Sequence, residues 1–151
     1  MDDKTIKLKI WNTALQKRIH SIPNGMIKNL DGIILVYDVS NERSFSKIKE
    51  LIQSIDSDKK RDIPLVLLGN KCDIVQRSVS EIDGIKMAKD LNIRYYETSA
   101  STGKGINEAF EHLAKEIMEK KDNVISGRKS YTLKSSTQRI KNKKGCYSYS
   151  N

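Results

Sequence analysis

The chain has 151 residues, of which 37% are hydrophobic and 31% charged, and its formal net charge is +9. This length suits one domain, the apolar share argues against full disorder, and no aliphatic run approaches the ~20 residues that span a bilayer. The two cysteines, Cys72 and Cys146, exclude a disulfide framework and favour a reducing compartment such as the cytosol.

Strand and helix patterns alternate in the N-terminal half of the chain. Lys4 to Trp11 alternates polar and apolar residues, which is the period of a strand with one buried face. Residues 12–30 have no clean period and contain a proline and a glycine, which predicts a loop. Gly32 to Tyr37 is apolar on both faces, as central parallel strands are. Apolar residues at helical spacing then predict a helix; they are Phe45, Ile48, Ile52 and Ile55.

The alternation continues in the C-terminal half. Ile63 to Gly69 is a second run that is apolar on both faces, and Ile93 to Thr98 predicts a further strand. Between them, Ser80 and Asp83 resemble a capping box, which predicts the start of a helix. Alternating strands and helices predict an α/β fold with a parallel sheet. A last helix, ending near Lys121, is predicted from the strongest amphipathic stripe, which contains Ile106, Ala109, Phe110, Leu113, Ala114 and Ile117.

The positive charge is concentrated after this last helix. Residues 122–151 contain seven lysines and arginines against one acidic residue, so they carry +6 of the net +9. They show little apolar periodicity, which predicts a basic, disordered tail after a domain at residues 1–121. Because the domain itself is nearly balanced in charge, the high net charge does not indicate a nucleic-acid-binding fold.

Polar residues stand directly after two of the predicted strands, where parallel sheets bind their ligands. They are Asn70, Lys71 and Asp73 after the strand at 63–69, and Ser99, Ala100 and Ser101 after the strand at 93–98. A carboxylate at position 73 could accept two N–H donors from guanine, which adenine does not present. The lysine stem could cover the base face, and backbone N–H groups of the later loop could meet the base oxygen. Alone, N-K-x-D fits a solvated turn better, but its place after a buried strand favours base binding.

Four ordered blocks of the sequence resemble the Rab branch of the Ras superfamily of small GTPases. They run from Lys7 to Lys17, Gly32 to Ser40, Asn70 to Asp73 and Glu97 to Ala100. The resemblance covers residues 2 to about 120, and it implies a Ras-like P-loop NTPase fold with a doubly wound, mostly parallel sheet. It also implies a guanine-nucleotide switch of vesicle traffic that binds GTP or GDP with Mg²⁺. Rab-type effectors and regulators are the implied partners, on the cytosolic face of endomembranes.

The departures from the family pattern fall on the residues that handle phosphate. No window matches the phosphate loop G-x-x-x-x-G-K-[ST], and Met1 aligns near the end of the family's second strand, which implies an N-terminally truncated domain. Where the family has D-x-x-G, this chain has Asn12 and Leu15, so both the charge near Mg²⁺ and the hinge glycine are lost. Gln16 stands where the family has its water-orienting glutamine, a role known from Ras. We therefore expect weak or lost nucleotide binding and defective hydrolysis, which leaves enzyme activity open.

Two alternatives stay open beside this interpretation. One is a pseudoGTPase, a non-catalytic interaction module that keeps the Rab outline without binding nucleotide. The other is a degraded gene product with no stable fold. No metal site is predicted, because His20 and His112 lie far apart in the sequence without ligand spacing around them.

The tail resembles the basic approach to a Rab lipidation site, but five residues follow Cys146. The ending is therefore neither C-a-a-X nor a terminal cysteine pair. The tail could make weak, salt-sensitive contact with an anionic membrane, and a solvated tail without a role is an equal alternative. Nucleic-acid recognition beyond non-specific contact is not expected.

Overall fold

The computed structural model describes residues 6–12, 30–56 and 63–141. The chain divides into two compact units, residues 1–117 and residues 118–151. Within the described residues, the first unit contains a sheet with flanking helices, and the second continues the last helix to Lys141. In the part of the chain so described, no helix combines the length and the apolar character needed to cross a membrane.

Three parallel strands form the described sheet. They are β1 (Ile33–Asp38), β2 (Leu65–Asn70) and β3 (Arg94–Thr98), in the order β1-β2-β3. The register pairs Asp38 with Asn70, and Asn70 with Thr98, so the three strands end side by side. The predicted α/β class and parallel sheet are confirmed.

The helices pack on both faces of this sheet. They are α1 (Glu42–Asp56), α2 (Glu81–Asp90) and α3 (Ile106–Lys141). On one face, strand residues pack with Ile48 of α1 and Met87 of α2. On the other face, Val66 and Leu68 pack with Leu113 of α3. Because β2 is covered on both faces, its apolar run has no polar alternation, as the sequence predicts.

The start of α2 confirms the predicted capping box. Ser80 is the N-cap residue, and its Oγ accepts a hydrogen bond from the Asp83 backbone N–H at 3.1 Å. The same Oγ donates to Asp83 Oδ2 at 2.6 Å. In the usual motif a glutamate reaches back to the N-cap N–H. Aspartate is one methylene shorter, and here its carboxylate pairs with the serine hydroxyl instead.

The strand predicted over Lys4 to Trp11 is wrong for the residues described there. Residues 6–12 lie outside the sheet, and the apolar side chains among them are 46–69% exposed; these are Ile6, Leu8, Ile10 and Trp11. An alternating pattern makes a strand favourable only where a neighbouring strand pairs with its N–H and C=O groups. The loop predicted over residues 12–30 lies largely outside the described residues.

The last helix is longer than the sequence predicts. Its end is expected near Lys121, whereas α3 continues to Lys141. The disordered tail predicted from Asp122 is therefore wrong for residues 122–141, and residues 142–151 lie outside the described range. Residues 122–141 contain no proline, and a helix makes its main-chain hydrogen bonds within itself, without a packed apolar stripe. The division of the chain at residue 121 stays a prediction.

Candidate functional site

The six residues predicted to bind a base come together at the carboxyl edge of the sheet. Asn70 ends β2, and the loop after it carries Lys71 and Asp73. The neighbouring loop after β3 carries the other three, Ser99, Ala100 and Ser101. Since β2 and β3 pair directly, the two loops lie next to each other. This is the edge at which open α/β sheets bind their ligands.

Asn70 ties the two loops together. Its side-chain Oδ1 accepts a hydrogen bond from the Ala100 backbone N–H at 3.1 Å and one from Thr98 Oγ1 at 3.4 Å. The bond to Ala100 bridges the two neighbouring loops. The bond also fixes the distance between the turn that carries Asp73 and the loop that carries Ala100.

Lys71 begins the base-binding turn in a strained conformation. Its φ is +66°, in the left-handed region, which costs a non-glycine residue about 1–3 kcal/mol. Hydrogen bonds on either side hold the turn: Cys72 N donates to Thr98 O at 3.0 Å, and Ile74 N donates to Lys71 O at 3.1 Å. Asp73 lies within this turn and is exposed, so its carboxylate is accessible to a ligand.

The ammonium group of Lys71 pairs with Asp38, the last residue of β1. Lys71 Nζ lies 2.6 Å from Asp38 Oδ2. The other carboxylate oxygen, Oδ1, accepts from Ser40 N at 2.9 Å and from Ser40 Oγ at 2.7 Å. The bond from Lys71, and after it those from Ser40, lower the pKa of Asp38 to about 2. Asp38 is therefore ionised at neutral pH.

Asp38 belongs to the family block from Gly32 to Ser40, but the sequence motifs predict no role for it. Its position in the sequence was the one available signal, because Asp38 comes directly after the strand predicted from Gly32 to Tyr37.

The loop after β3 is held by its own backbone. Ser99 is fully buried; its N–H donates to Lys104 O at 3.0 Å, and its Oγ accepts from Thr102 N at 3.1 Å. Gly105 has a φ of +69°, and a Cβ there would clash with the Glu97 carbonyl oxygen. Only glycine fits that position. The N–H groups of Ser99 and Ala100, both predicted to meet a base oxygen, are thus already bonded within the protein.

A network of tyrosine, glutamate and arginine side chains lies near the same edge of the sheet. The Tyr37 and Tyr95 hydroxyl oxygens lie 3.1 Å apart, and Tyr95 donates to Glu97 Oε1 at 3.2 Å. Arg77 donates to both oxygens of Glu97, which lowers the pKa of that carboxyl. Burial raises the pKa of Tyr95. A Cβ at Gly69 would lie 2.6 Å from the Tyr95 hydroxyl, so the glycine leaves room for the network.

The positions that match the family's phosphate-handling motif are not part of the described edge of the sheet. Leu15 and the predicted catalytic Gln16 lie outside the described residues, while Asn12 lies in the exposed segment 6–12. Within residues 6–12, 30–56 and 63–141, no group of three or more His, Cys, Asp or Glu could hold a metal ion. The carboxylate of Asp38 is engaged by Lys71 and Ser40. Among the described residues, no carboxylates are therefore grouped as a set of metal ligands at this edge.

Comparison with known proteins identifies the class to which this fold and edge belong. The model of the Ras family matches residues 1–119. Ras-related protein Rab-8B of Homo sapiens is 44% identical over 121 residues, which are 80% of this chain and 58% of that protein. Rab-8A of Bos taurus is 41% identical over 128 residues, covering 84% of this chain and 62% of that protein. Rab-8 of Diplobatis ommata is 43% identical over 121 residues, covering 80% and 58%.

The chain therefore belongs to the Ras family, and over most of its length it is similar in sequence to the Rab-8 proteins. It spans about three fifths of the length of these relatives. The resemblance carried by the sequence motifs is confirmed at the level of family and fold.

Proposed function

We propose that this chain recognises the guanine base of a nucleotide through the loops after β2 and β3. The observation that carries the proposal is the bond from the Ala100 N–H to Asn70 Oδ1, which holds the two loops together with the exposed Asp73 beside them. The carboxylate would accept N1–H and N2–H₂ of guanine, and the Lys71 stem would cover the ring. GTP or GDP is the implied ligand, bound weakly because the phosphates find no G-x-x-x-x-G-K-[ST] loop in the 151 residues.

Calorimetry with GMP, GDP and ATP tests this proposal. A base held without a phosphate loop is expected to bind in the millimolar range, about −4 kcal/mol. We expect GMP and GDP to bind better than ATP, and Asp73→Asn to remove that preference. Asp90→Asn, the same change at an exposed position at the end of α2, is the control. Equal affinity for GDP and ATP, or an unchanged preference in Asp73→Asn, would contradict guanine recognition.

We further propose that the chain does not hydrolyse GTP at a useful rate. Phosphoryl transfer depends on positioning and charge stabilisation of the γ-phosphate, and Asn12 and Leu15 replace two residues of the motif that serves it. Gln16 can orient water only against a fixed phosphate. A turnover assay that found family-like activity, abolished by Gln16→Ala, would overturn this proposal.

A pseudoGTPase interaction module is the second candidate function. It is favoured by the N–H groups of Ser99 and Ala100, because both already have acceptors within the protein. A base oxygen would have to share or displace the bond between Ala100 and Asn70. Nucleotide extraction from the purified protein separates the two candidates: bound guanine nucleotide supports the first, and an empty protein that still binds a partner supports the second.

The cellular role follows the family and is also a proposal. We place the chain in vesicle traffic, with Rab-type effectors or regulators as partners and a cytoplasmic location at the cytosolic face of endomembranes. The basic residues after Asp122 would add roughly 1 kcal/mol each near an anionic surface. Sedimentation with vesicles that contain phosphatidylserine tests the membrane contact, which is expected to weaken as the salt concentration rises.

A further inference from the structure

The ends of β1 and β2 carry an ion pair that the base-binding motif alone does not explain. Asp38 and Asn70 are register partners at the ends of the two strands, and Lys71 follows Asn70 directly. Its ammonium group turns back across the sheet edge to reach Asp38 Oδ2 at 2.6 Å. The four-carbon stem of Lys71 is therefore anchored at both ends, by the backbone turn and by the carboxylate.

The Asp38 carboxylate is also held by hydrogen bonds that do not involve Lys71. Both the N–H and the hydroxyl of Ser40 donate to Asp38 Oδ1, at 2.9 and 2.7 Å. The backbone N–H of Asp38 donates to Ser44 Oγ at 3.0 Å, which anchors the main chain to the first turn of α1. Asp38 is thus an oriented acceptor, and its orientation does not depend on Lys71.

We propose that Asp38 is a positioning residue for Lys71 in base binding. The inference rests on the proposed guanine site and adds a residue that does not touch the base. A free lysine stem samples many rotamers and loses that freedom when a base stacks on it. A stem already held by Asp38 loses less, so the same contact gives a higher affinity.

This role differs from that of Asp73 in what it changes. The lysine stem covers the face of a ring, which all purines share, whereas the Asp73 carboxylate reads an edge that only guanine presents. Loss of Asp38 should therefore weaken binding of different purines by the same factor. Loss of Asp73 should change the preference among them.

Amide-detected NMR titrations with GMP and IMP measure the affinity for each ligand, and the ratio of the two affinities, in the millimolar range. IMP keeps the N1–H of guanine and lacks the 2-amino group, so it binds the same site with one donor fewer. For Asp38→Asn we expect a loss of roughly two- to fivefold for both ligands, because the paired side chains are 55% and 23% exposed and water screens them. The GMP to IMP ratio should stay unchanged. Asp90→Asn is again the matched control.

A double-mutant cycle separates positioning from general damage to the fold. Lys71→Met keeps an apolar stem and removes the charge, so Asp38→Asn should have no further effect on affinity in that background. A full effect of Asp38→Asn in the Lys71→Met background would contradict the proposal. High salt should also shrink the difference between the wild-type chain and Asp38→Asn.

The outcomes distinguish this inference from the function on which it rests. If the wild-type chain and Asp38→Asn bind GMP with equal affinity, only the positioning role is overturned. A change in the GMP to IMP ratio in Asp38→Asn also overturns it, because Asp38 would then read the base edge. Absence of GMP binding by the wild-type chain contradicts the proposed function, and the positioning role with it.

Discussion

Strand β2 and the segment 6–12 both have sequence patterns that predict a strand, but their surroundings are opposite. In β2 the side chains of Val66, Leu67 and Leu68 are at most 4% exposed, because strands lie on both sides and helices on both faces. In the segment, Ile10 is 69% exposed. The comparison teaches that apolar periodicity predicts a strand only where a pairing partner exists. The candidate site depends on the paired region, since its loops begin where β2 and β3 end.

The largest difference between the two regions should be seen in the free energy of unfolding. Leu67→Ala removes a fully buried side chain from the main cluster and should cost about 3 kcal/mol. Ile10→Ala acts on an exposed side chain and should cost less than about 0.5 kcal/mol. Urea denaturation measures both. If Ile10→Ala lowered the free energy of unfolding by more than Leu67→Ala does, the segment 6–12 would have to be packed in solution.

The loop after β3 allows a sharper test with two glycines of similar backbone. Gly105 and Gly103 both have positive φ, +69° and +81°, but only the Cβ at 105 would clash, with Glu97 O. At Gly103, no atom of the described residues lies within 4 Å of the position that a Cβ would take. Gly105→Ala should therefore cost about 2–3 kcal/mol, from strain and overpacking together, and Gly103→Ala about 1 kcal/mol, from strain alone. Equal melting temperatures for the two variants would contradict the tight packing of this loop on β3.

The smallest effect concerns acid sensitivity at the end of β1. The folded-state pKa of Asp38 is about 2, below its ordinary value of 3.8, so its contribution to stability is present above pH 4 and is lost as the pH falls toward 2. The stability difference between the wild-type chain and Asp38→Asn should shrink over that window. Urea midpoints at pH 6, 4 and 2.5 measure it. A difference that grows as the pH falls has the wrong sign for the ion pair with Lys71.

Most of the fold was predictable because each strand and helix from β1 onward shows its own periodicity and has a packing partner. The strand predicted over Lys4 to Trp11 and the helix end predicted near Lys121 are wrong for the same reason. Apolar periodicity indicates which face of an element can be packed, and not whether the element forms. Residues 6–12 alternate but lie outside the described sheet and form no strand there. Residues 122–141 have no apolar stripe in their sequence and still form a helix, whose hydrogen bonds are internal.

The sequence predicts which residues of the candidate site lie together at the sheet edge, but it does not predict the bonds between them. Asn70, Lys71 and Asp73 follow from a short motif placed after a buried strand. Asn70 accepts a hydrogen bond from the Ala100 N–H, and Lys71 pairs with Asp38. Both contacts depend on side-chain geometry between strands that are distant in sequence. No local pattern contains that information.

We propose that guanine is recognised where the loops after β2 and β3 meet. Backbone amide shifts of the 151-residue chain, recorded with GMP and with AMP at the same concentration, test it most directly. We expect GMP to shift the amides of Asp73 and Ala100, and AMP to leave both in place. Equal shifts with the two nucleotides, or shifts with GMP that avoid both residues, would contradict the account.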